Sequence, residues 1–331
     1  MREKLSFVCI LILMLSQLCS ATTIKDKVAT SGTQFLKLGV GARARGMGGA
    51  FIGVADDAQA VFWNPAGLAN IESKDLSFSH LSWIADINHE SFAYAQNFSK
   101  VGVFAVSAIV LGTEEMDVTT TQSQEGTGET FTYRDLAIGL SYARRLTDKF
   151  SFGLTVKYID EQIYTQHARG FGLDLGTQYR TGLKSLTLSM AITDFGQDLR
   201  FEGRYFNTEV VSGTNTMLFE KREFDRFALP LKFVIGVTYD VLEGKEFKSK
   251  IAFDALHPND YSERIHLGWE NWYKDILALR VGYKFNYNEE GLCLGFGIKK
   301  RLGALYFKID YAYSDFGVFD NADAFSLGIA F

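Results

Sequence analysis

From about residue 76 to its end the chain is built of short runs in which every second residue is apolar. In the last run Phe325, Leu327, Ile329 and Phe331 fall on one side, and Ser326, Gly328 and Ala330 on the other. A period of two is that of a β-strand, whose successive side chains leave opposite faces. Upstream, Leu305, Phe307, Ile309, Tyr311 and Tyr313 alternate with Tyr306, Lys308, Asp310 and Ala312. Leu292, Leu294, Phe296 and Ile298 alternate with Cys293, Gly295, Gly297 and Lys299. The pattern recurs around 277–285, 265–269, 251–256, 233–239, 186–192, 171–175, 152–158, 136–142, 101–110, 91–98 and 76–83. It predicts an all-β chain of about fourteen strands, each roughly ten residues long, the length of a tilted strand crossing hydrocarbon.

The connections between these runs differ in kind. Those after the second, fourth, sixth, tenth and twelfth strands are short (99–100, 147–149, 180–184, 272–275 and 301–303), whereas those after the third and seventh are long (112–129 and 197–228). In an up-and-down meander this puts both long loops at one end, as in a membrane barrel with one rim outside the cell. A soluble sandwich gives no reason for that segregation. Arg280, Lys284, Lys299, Lys308 and Asp310 then line a lumen while the apolar face meets lipid. Phe150, Tyr158, Trp269, Trp272, Tyr283, Tyr287, Tyr306 and Tyr313 sit towards strand ends, where interfacial aromatic girdles are expected. The expected fold is a transmembrane antiparallel β-barrel over residues 73–331.

Composition agrees with sheet: 14% aromatic residues and 31 glycines stand against only 3 prolines, which cannot donate to an interior ladder. The first 21 residues read as an export signal, with Arg2 and Lys4, an apolar run from Leu5 to Leu18, and Cys19-Ser20-Ala21 for cleavage. Lipidation at Cys19 is disfavoured by Leu18, where a small residue is needed. Removal of Arg2 and Lys4 with Glu3 takes the formal charge from −5 to about −6. After the signal no apolar run is long enough for a membrane helix. Cys9 and Cys19 leave with the signal, so Cys293 remains without an internal disulfide partner. The acidic balance and lack of a basic cluster exclude nucleic acid as partner. The expected location is the outer membrane of a diderm bacterium.

Between signal and first strand lie residues 22–72, which include "GMGGAFIGVADDAQAVFWNPAGLANI" (46–71). The lumen of so wide a barrel is not filled by its own side chains. This segment is therefore expected to fold inward as a short helical hatch. Gly46, Gly48 and Gly49 would form a close-packing hinge, and Asn64, Pro65, Ala66 and Gly67 a bend capped by Asn64. Asp56 and Asp57 would cap the turn at 58–62 or pair with Arg43 and Arg45. Gly39-Val40-Gly41 lacks the third glycine of a dinucleotide fingerprint, with Ala44 in its place. His80, His89, His167, His257 and His266 show no metal-ligand spacing; His257 has Asp254 and Ser262 nearby, which is common by chance. No catalytic residue, metal or cofactor is assigned, and the chain is read as a non-enzyme.

The stretch "LGVGARARGMGGAFIGVADDAQAVFWNPAGLA" resembles the N-terminal signature of the PorV/PorQ family within the FadL-type outer-membrane barrels, most of all at Asn64-Pro65-Ala66-Gly67. The resemblance implies a fourteen-stranded barrel with a hatch in its lumen. In FadL-type proteins the hatch gates hydrophobic molecules; in PorV-like proteins the barrel serves type IX secretion, binding cargo C-terminal domains on their way to surface attachment. Resemblance to outer-membrane barrels generally implies that Phe331 is the terminal aromatic read by the barrel assembly machinery. Two functions follow. The first is secretion or surface attachment, with the 197–228 loop gripping cargo or partner proteins through Arg200, Phe201, Arg204, Tyr205, Phe206 and Phe219. The alternative is transport of long-chain fatty acids or other hydrophobic solutes. It expects an apolar pocket between hatch and wall, and a lateral opening at a strand kink marked by Gly153, Gly170 or Gly172.

Overall fold

The computed structural model describes residues 30–203, 224–319 and 321–331; the expected signal, residues 1–21, lies outside them. Fourteen strands close into one antiparallel barrel. They are β1 (Lys74–Ser82), β2 (Asn88–Asn97), β3 (Val103–Gly112), β4 (Tyr133–Arg145), β5 (Phe150–Ile163), β6 (Gln166–Arg180) and β7 (Thr187–Gly196), then β8 (Lys232–Glu243), β9 (Phe247–Pro258), β10 (Arg264–Tyr273), β11 (Leu277–Phe285), β12 (Leu292–Leu302), β13 (Leu305–Asp315) and β14 (Asn321–Ala330). Each strand pairs with its chain neighbours, and β1 closes the cylinder on β14 from Asp75↔Ala330 to Ser82↔Asp323. Among the described residues no helix is long and apolar enough to cross a membrane.

The faces are inverted relative to a soluble domain. Outward side chains are large and apolar, with Leu140 65% exposed and Phe171 59%, whereas Ser77, Ser91, Ala93, Ala105, Ser141 and Thr155 on the inner face are buried. So much exposed apolar surface is stable only against lipid. Both long connections, 113–132 and 197–231, leave the rim that also carries 83–87, 259–263, 286–291 and 316–320. The opposite rim carries only short ones (98–102, 146–149, 181–186, 244–246, 274–276 and 303–304). The 164–165 turn between β5 and β6 is short yet belongs to the long-loop rim; β4 accompanies β5 up to Tyr133↔Ile163, whereas β6 extends beyond β7, whose pairing ends at Gly172↔Gly196.

Three expected girdle aromatics face the lumen instead. Trp272 shares the inward parity of Glu270 and lies under the Arg280 guanidinium at 5.5 Å. Tyr306 borders the same cavity, and Tyr287 bonds His266 inside the barrel. Strand register decides which face a side chain takes, and nearness to a strand end does not.

Candidate functional site

The segment ahead of β1 runs down inside the barrel from the long-loop rim to the short-loop rim. It holds a helical turn at Ala42–Gly46 and 3-10 turns at Gln34–Lys37, Ala58–Phe62 and Pro65–Asn70. Its apolar side chains, among them Met47, Phe51, Val54 and Leu68, pack on wall alanines such as Ala93, Ala95, Ala105 and Ala143. Small inward residues on the strands thus leave the room that large hatch residues fill.

Two glycine patches in the wall receive the hatch backbone. Gly48, with φ of 63°, turns the chain against β11; a Cβ on Gly282 would stand 2.0 Å from Gly48 N. Gly46 meets Gly295 of β12 in the same way, and a Cβ on Gly268 of β10 would reach Met47 O at 2.6 Å. The second patch is Gly153↔Gly176, paired across β5 and β6, where added Cβ atoms would strike Pro65 and Asn64. Gly153 is therefore a docking position for the hatch. Gly172 does border an irregularity, a register shift between Leu173 and Leu175 in the β6–β7 pairing, with ladder pairs continuing on both sides of it.

Asn64 closes the second contact. Its Oδ1 accepts from Ala66 N at 3.1 Å, and its Nδ2 donates to Ile52 O at 2.9 Å and to Thr177 O of β6 at 3.1 Å. Pro65 supplies the first turn position, where a missing N–H costs nothing. Gly67 lies against Ala55 O, where any Cβ would stand at 2.4 Å. Gln178 Nε2 donates to Ile52 O and Ala55 O, and Asp254 of β9 accepts from Phe51 N and Ile52 N at 2.8 and 3.1 Å.

A charge network fastens the middle of the hatch. Arg43 makes a two-pronged contact with Glu270 of β10 at 2.9 and 3.0 Å and reaches Asp56 at 2.6 Å and Asp57 at 3.3 Å. Arg280 of β11 joins Glu270 to Asp310 of β13, both at 2.7 Å. Asp57 caps Gln59 N, and its carboxylate lies 3.3 Å from Arg43 and also faces Lys308. Asp56 looks into the lumen. Enclosure in the barrel pushes its carboxyl up, but Arg43, Lys250 and Lys308 together hold it below the usual carboxylate range. Arg45 pairs with neither aspartate; its guanidinium sits 5.3 Å from the Trp83 ring and donates to Gly39 O. Below the network a cavity of about 1240 Å³ opens at the short-loop rim, lined by Lys250, Lys299, Asp240, Asp275 and Trp272 among others.

The long-loop end is sealed differently. Phe35, Leu36 and Val40 of the hatch pack with Ile109, Leu111, Ile159, Leu199 and Leu229, so both flanks of the 197–231 connection turn inward over the hatch. Leu199 and Phe227 exchange backbone hydrogen bonds at 2.9 Å. Of the proposed gripping residues, Phe201 stacks on Phe227 with centroids 5.6 Å apart, and Arg200 pairs with Glu202 at 3.8 Å. Arg204, Tyr205, Phe206 and Phe219 lie outside the described residues. A hatch–wall pocket with Leu36, Leu38, Val40, Phe62 and Trp63 has a volume of about 50 Å³ and also exposes Lys157, Asp174 and Lys232. Phe331 continues the β1–β14 seam by donating to Lys74 O at 2.9 Å.

His257 pairs with Glu263, while the neighbouring Asp254 serves the hatch; His80 pairs with Glu90 on the outer wall. Among the described residues no three His, Cys, Asp or Glu side chains gather as a metal site. The wall's contributions, Glu270, Asp254 and the five docking glycines, had one sequence signal: each lies at an inward position of an alternating strand.

A family model described as "Type IX secretion system protein PorV" matches residues 21–186. No curated protein sequence matches. Among solved structures, the P. putida toluene transporter TodX is similar with a TM-score of 0.57 and 14% identity, over 88% of this chain and 99% of that one. The Ralstonia pickettii toluene transporter TbuX gives 0.56 and 13%, over 88% and 97%. A Pseudomonas aeruginosa FadL homologue gives 0.54 and 12%, over 88% and 98%. At such identities the likeness shows a shared barrel fold.

Proposed function

The chain belongs to the PorV family of type IX secretion system proteins, and from that premise we propose that it is an outer-membrane barrel that binds secreted cargo or partner proteins at its long-loop rim. The observation that carries this reading is the seated hatch. It is fastened by backbone contact at two glycine patches, by the Arg43–Glu270 network and by the apolar cluster above. A hatch so seated fills the long-loop end of the lumen and leaves that rim as the surface for macromolecules, and the 197–231 connection is its largest element. Arg200, Arg204, Tyr205, Phe206 and Phe219 are the residues assigned to grip, with Phe201 anchoring the loop base; arginine and aromatic side chains dominate such contacts. Residues 1–21 act as the cleaved export signal, and Phe331 as the signal to the assembly machinery.

Deletion of residues 203–225 in cells that carry the secretion system tests the loop. Barrel folding, read as heat-modifiable gel mobility, should persist while cargo secretion and partner pull-down fall at least tenfold. Unchanged secretion would remove the loop from the site.

The second reading, passage of long-chain fatty acids or other apolar solutes, is favoured by the apolar lining of the small hatch–wall pocket. That pocket is well below the roughly 300–1,000 Å³ of a small-molecule site, so transport requires the hatch segment at 36–40 to move. Uptake of labelled oleate by cells with and without the protein decides it; equal uptake removes this reading.

A further inference from the structure

Below the hatch the lumen is a blind cup of about 1240 Å³ that opens at the short-loop rim, the end expected to face the periplasm. Lys250 of β9, Lys299 of β12 and Lys308 of β13 take inward positions in its wall, and Arg43 reaches it from the hatch. Lys299 and Lys308 are direct cross-strand partners. Lys308 is offset by Asp57 at 3.7 Å and Asp75 at 3.2 Å, and Lys250 by Asp240 at 3.7 Å. Among the described residues no ion pair reaches Lys299, whose ammonium lies 5.0 Å from the centre of the Tyr306 ring. Asp56 stands in the middle of these charges. It bonds Arg43 at 2.6 Å, feels Lys250, Lys299 and Lys308, and keeps its side chain 45% exposed. Nearer the mouth Lys74, Arg180, Lys184 and Lys245 also stand outside every ion pair among the described residues, against Glu72 and Glu243 as the acidic side chains so placed.

Like charges directly opposed across a sheet repel, and Lys299 faces Lys308 with no carboxylate of its own. The surplus of cations in the cup is matched by an anion from outside, and Asp56 shows which kind fits: a carboxylate carried on an irregular backbone segment enters among four cations. Lysine and arginine bind carboxylates through the stronger, charge-assisted hydrogen bonds, and a cleft lined by one sign of charge focuses its field on an arriving ligand. The cup exceeds the roughly 300–1,000 Å³ of a small-molecule site, so it has room for a short length of polypeptide. We propose that it binds an acidic peptide segment of a periplasmic protein, with Lys299 and Lys250 taking carboxylates inside and Lys74, Arg180, Lys184 and Lys245 drawing the segment in. Trp272 and Tyr306 in the lining give apolar surface to its aliphatic stems. The barrel would then hold a periplasmic partner at one end while the other end meets cargo. The two sites lie at opposite rims, so the secretion reading survives or fails by the loop deletion, independently of the cup.

The test uses the full mature chain folded in detergent, with rhodamine-labelled hexaglutamate as the probe. Fluorescence anisotropy should show saturable binding that weakens as salt is raised, and hexalysine with the same label should not bind. Lys299→Glu should weaken hexaglutamate binding at least tenfold, and Lys250→Gln should act in the same direction. Lys100→Glu, an exposed position on the 98–102 connection of the same rim but outside the cup, should leave binding unchanged. Heat-modifiable mobility confirms that each variant has folded. The proposal is overturned if wild type shows no saturable binding, or if Lys299→Glu binds hexaglutamate as wild type does. It is also overturned if phosphatidylglycerol added to the micelles displaces the probe better than unlabelled hexaglutamate does at equal charge, which would assign the cup to a lipid headgroup.

Discussion

Asn64 is held to its identity by the two ends of one amide. The oxygen accepts from Ala66 N while the nitrogen donates to two carbonyls, one in the hatch and one in the wall. Only an amide offers both an acceptor and two donors at that reach. Asn64→Ala loses the cap and two donors to carbonyl oxygens in a fully buried position. It should destabilise the folded barrel by about 2–3 kcal/mol, from a cap worth about 1 and the unsatisfied groups left behind. Asn64→Asp keeps the acceptor but sets a carboxylate against two carbonyl oxygens, so it should be worse than alanine. Urea-unfolding midpoints of the three proteins check the order; an aspartate variant more stable than the alanine one would mean that the donors to Ile52 and Thr177 contribute nothing.

At the scale of elements, the wall and the hatch are complementary through what the wall omits. Gly268, Gly282 and Gly295 sit on three adjacent strands and let the 46–48 backbone touch the ladder directly. Gly282→Val would drive its side chain into Gly48 N and unseat this end of the hatch. Planar-bilayer recordings should then show ion-conducting steps where the native barrel stays closed. Gly112→Ala, at a rim position with nothing within 4 Å, should leave the barrel closed. If the valine variant is as closed as wild type, the glycine patch does not hold the hatch. The strands themselves were legible, because a two-residue period and a face of Phe, Leu and Ile need no knowledge of the partner. The hatch residues Gly46, Gly48, Asp57 and Asn64 were legible too, since turns and caps are local. Their wall partners were not. That Gly153 receives Pro65, or that Glu270 takes Arg43 while Arg45 turns to Trp83, depends on register between segments far apart in sequence. Alternation shows only that a residue points inward, and nothing local says what it meets.

The whole molecule is asymmetric along the barrel axis. One end is closed by aliphatic and aromatic side chains from hatch and loop, and the other opens on a charged cavity beneath the Arg43–Glu270–Arg280–Asp310 network. Such an interior suits a body that holds its plug and presents one rim. All of it rests on the outer face meeting hydrocarbon, and that premise can be tested at one position. Leu140 is 65% exposed and stands in the wall beside Val106 and Val156, which are also exposed. In lipid, Leu140→Arg carries a charge into the apolar band and should cost about 2–4 kcal/mol near the midplane. In water the same change is a surface substitution, worth within about 0.5 kcal/mol either way. Unfolding of both proteins from liposomes separates the two cases. A neutral Leu140→Arg would move the greasy face out of the bilayer, and with it the reason for reading the small, charged face as a lumen.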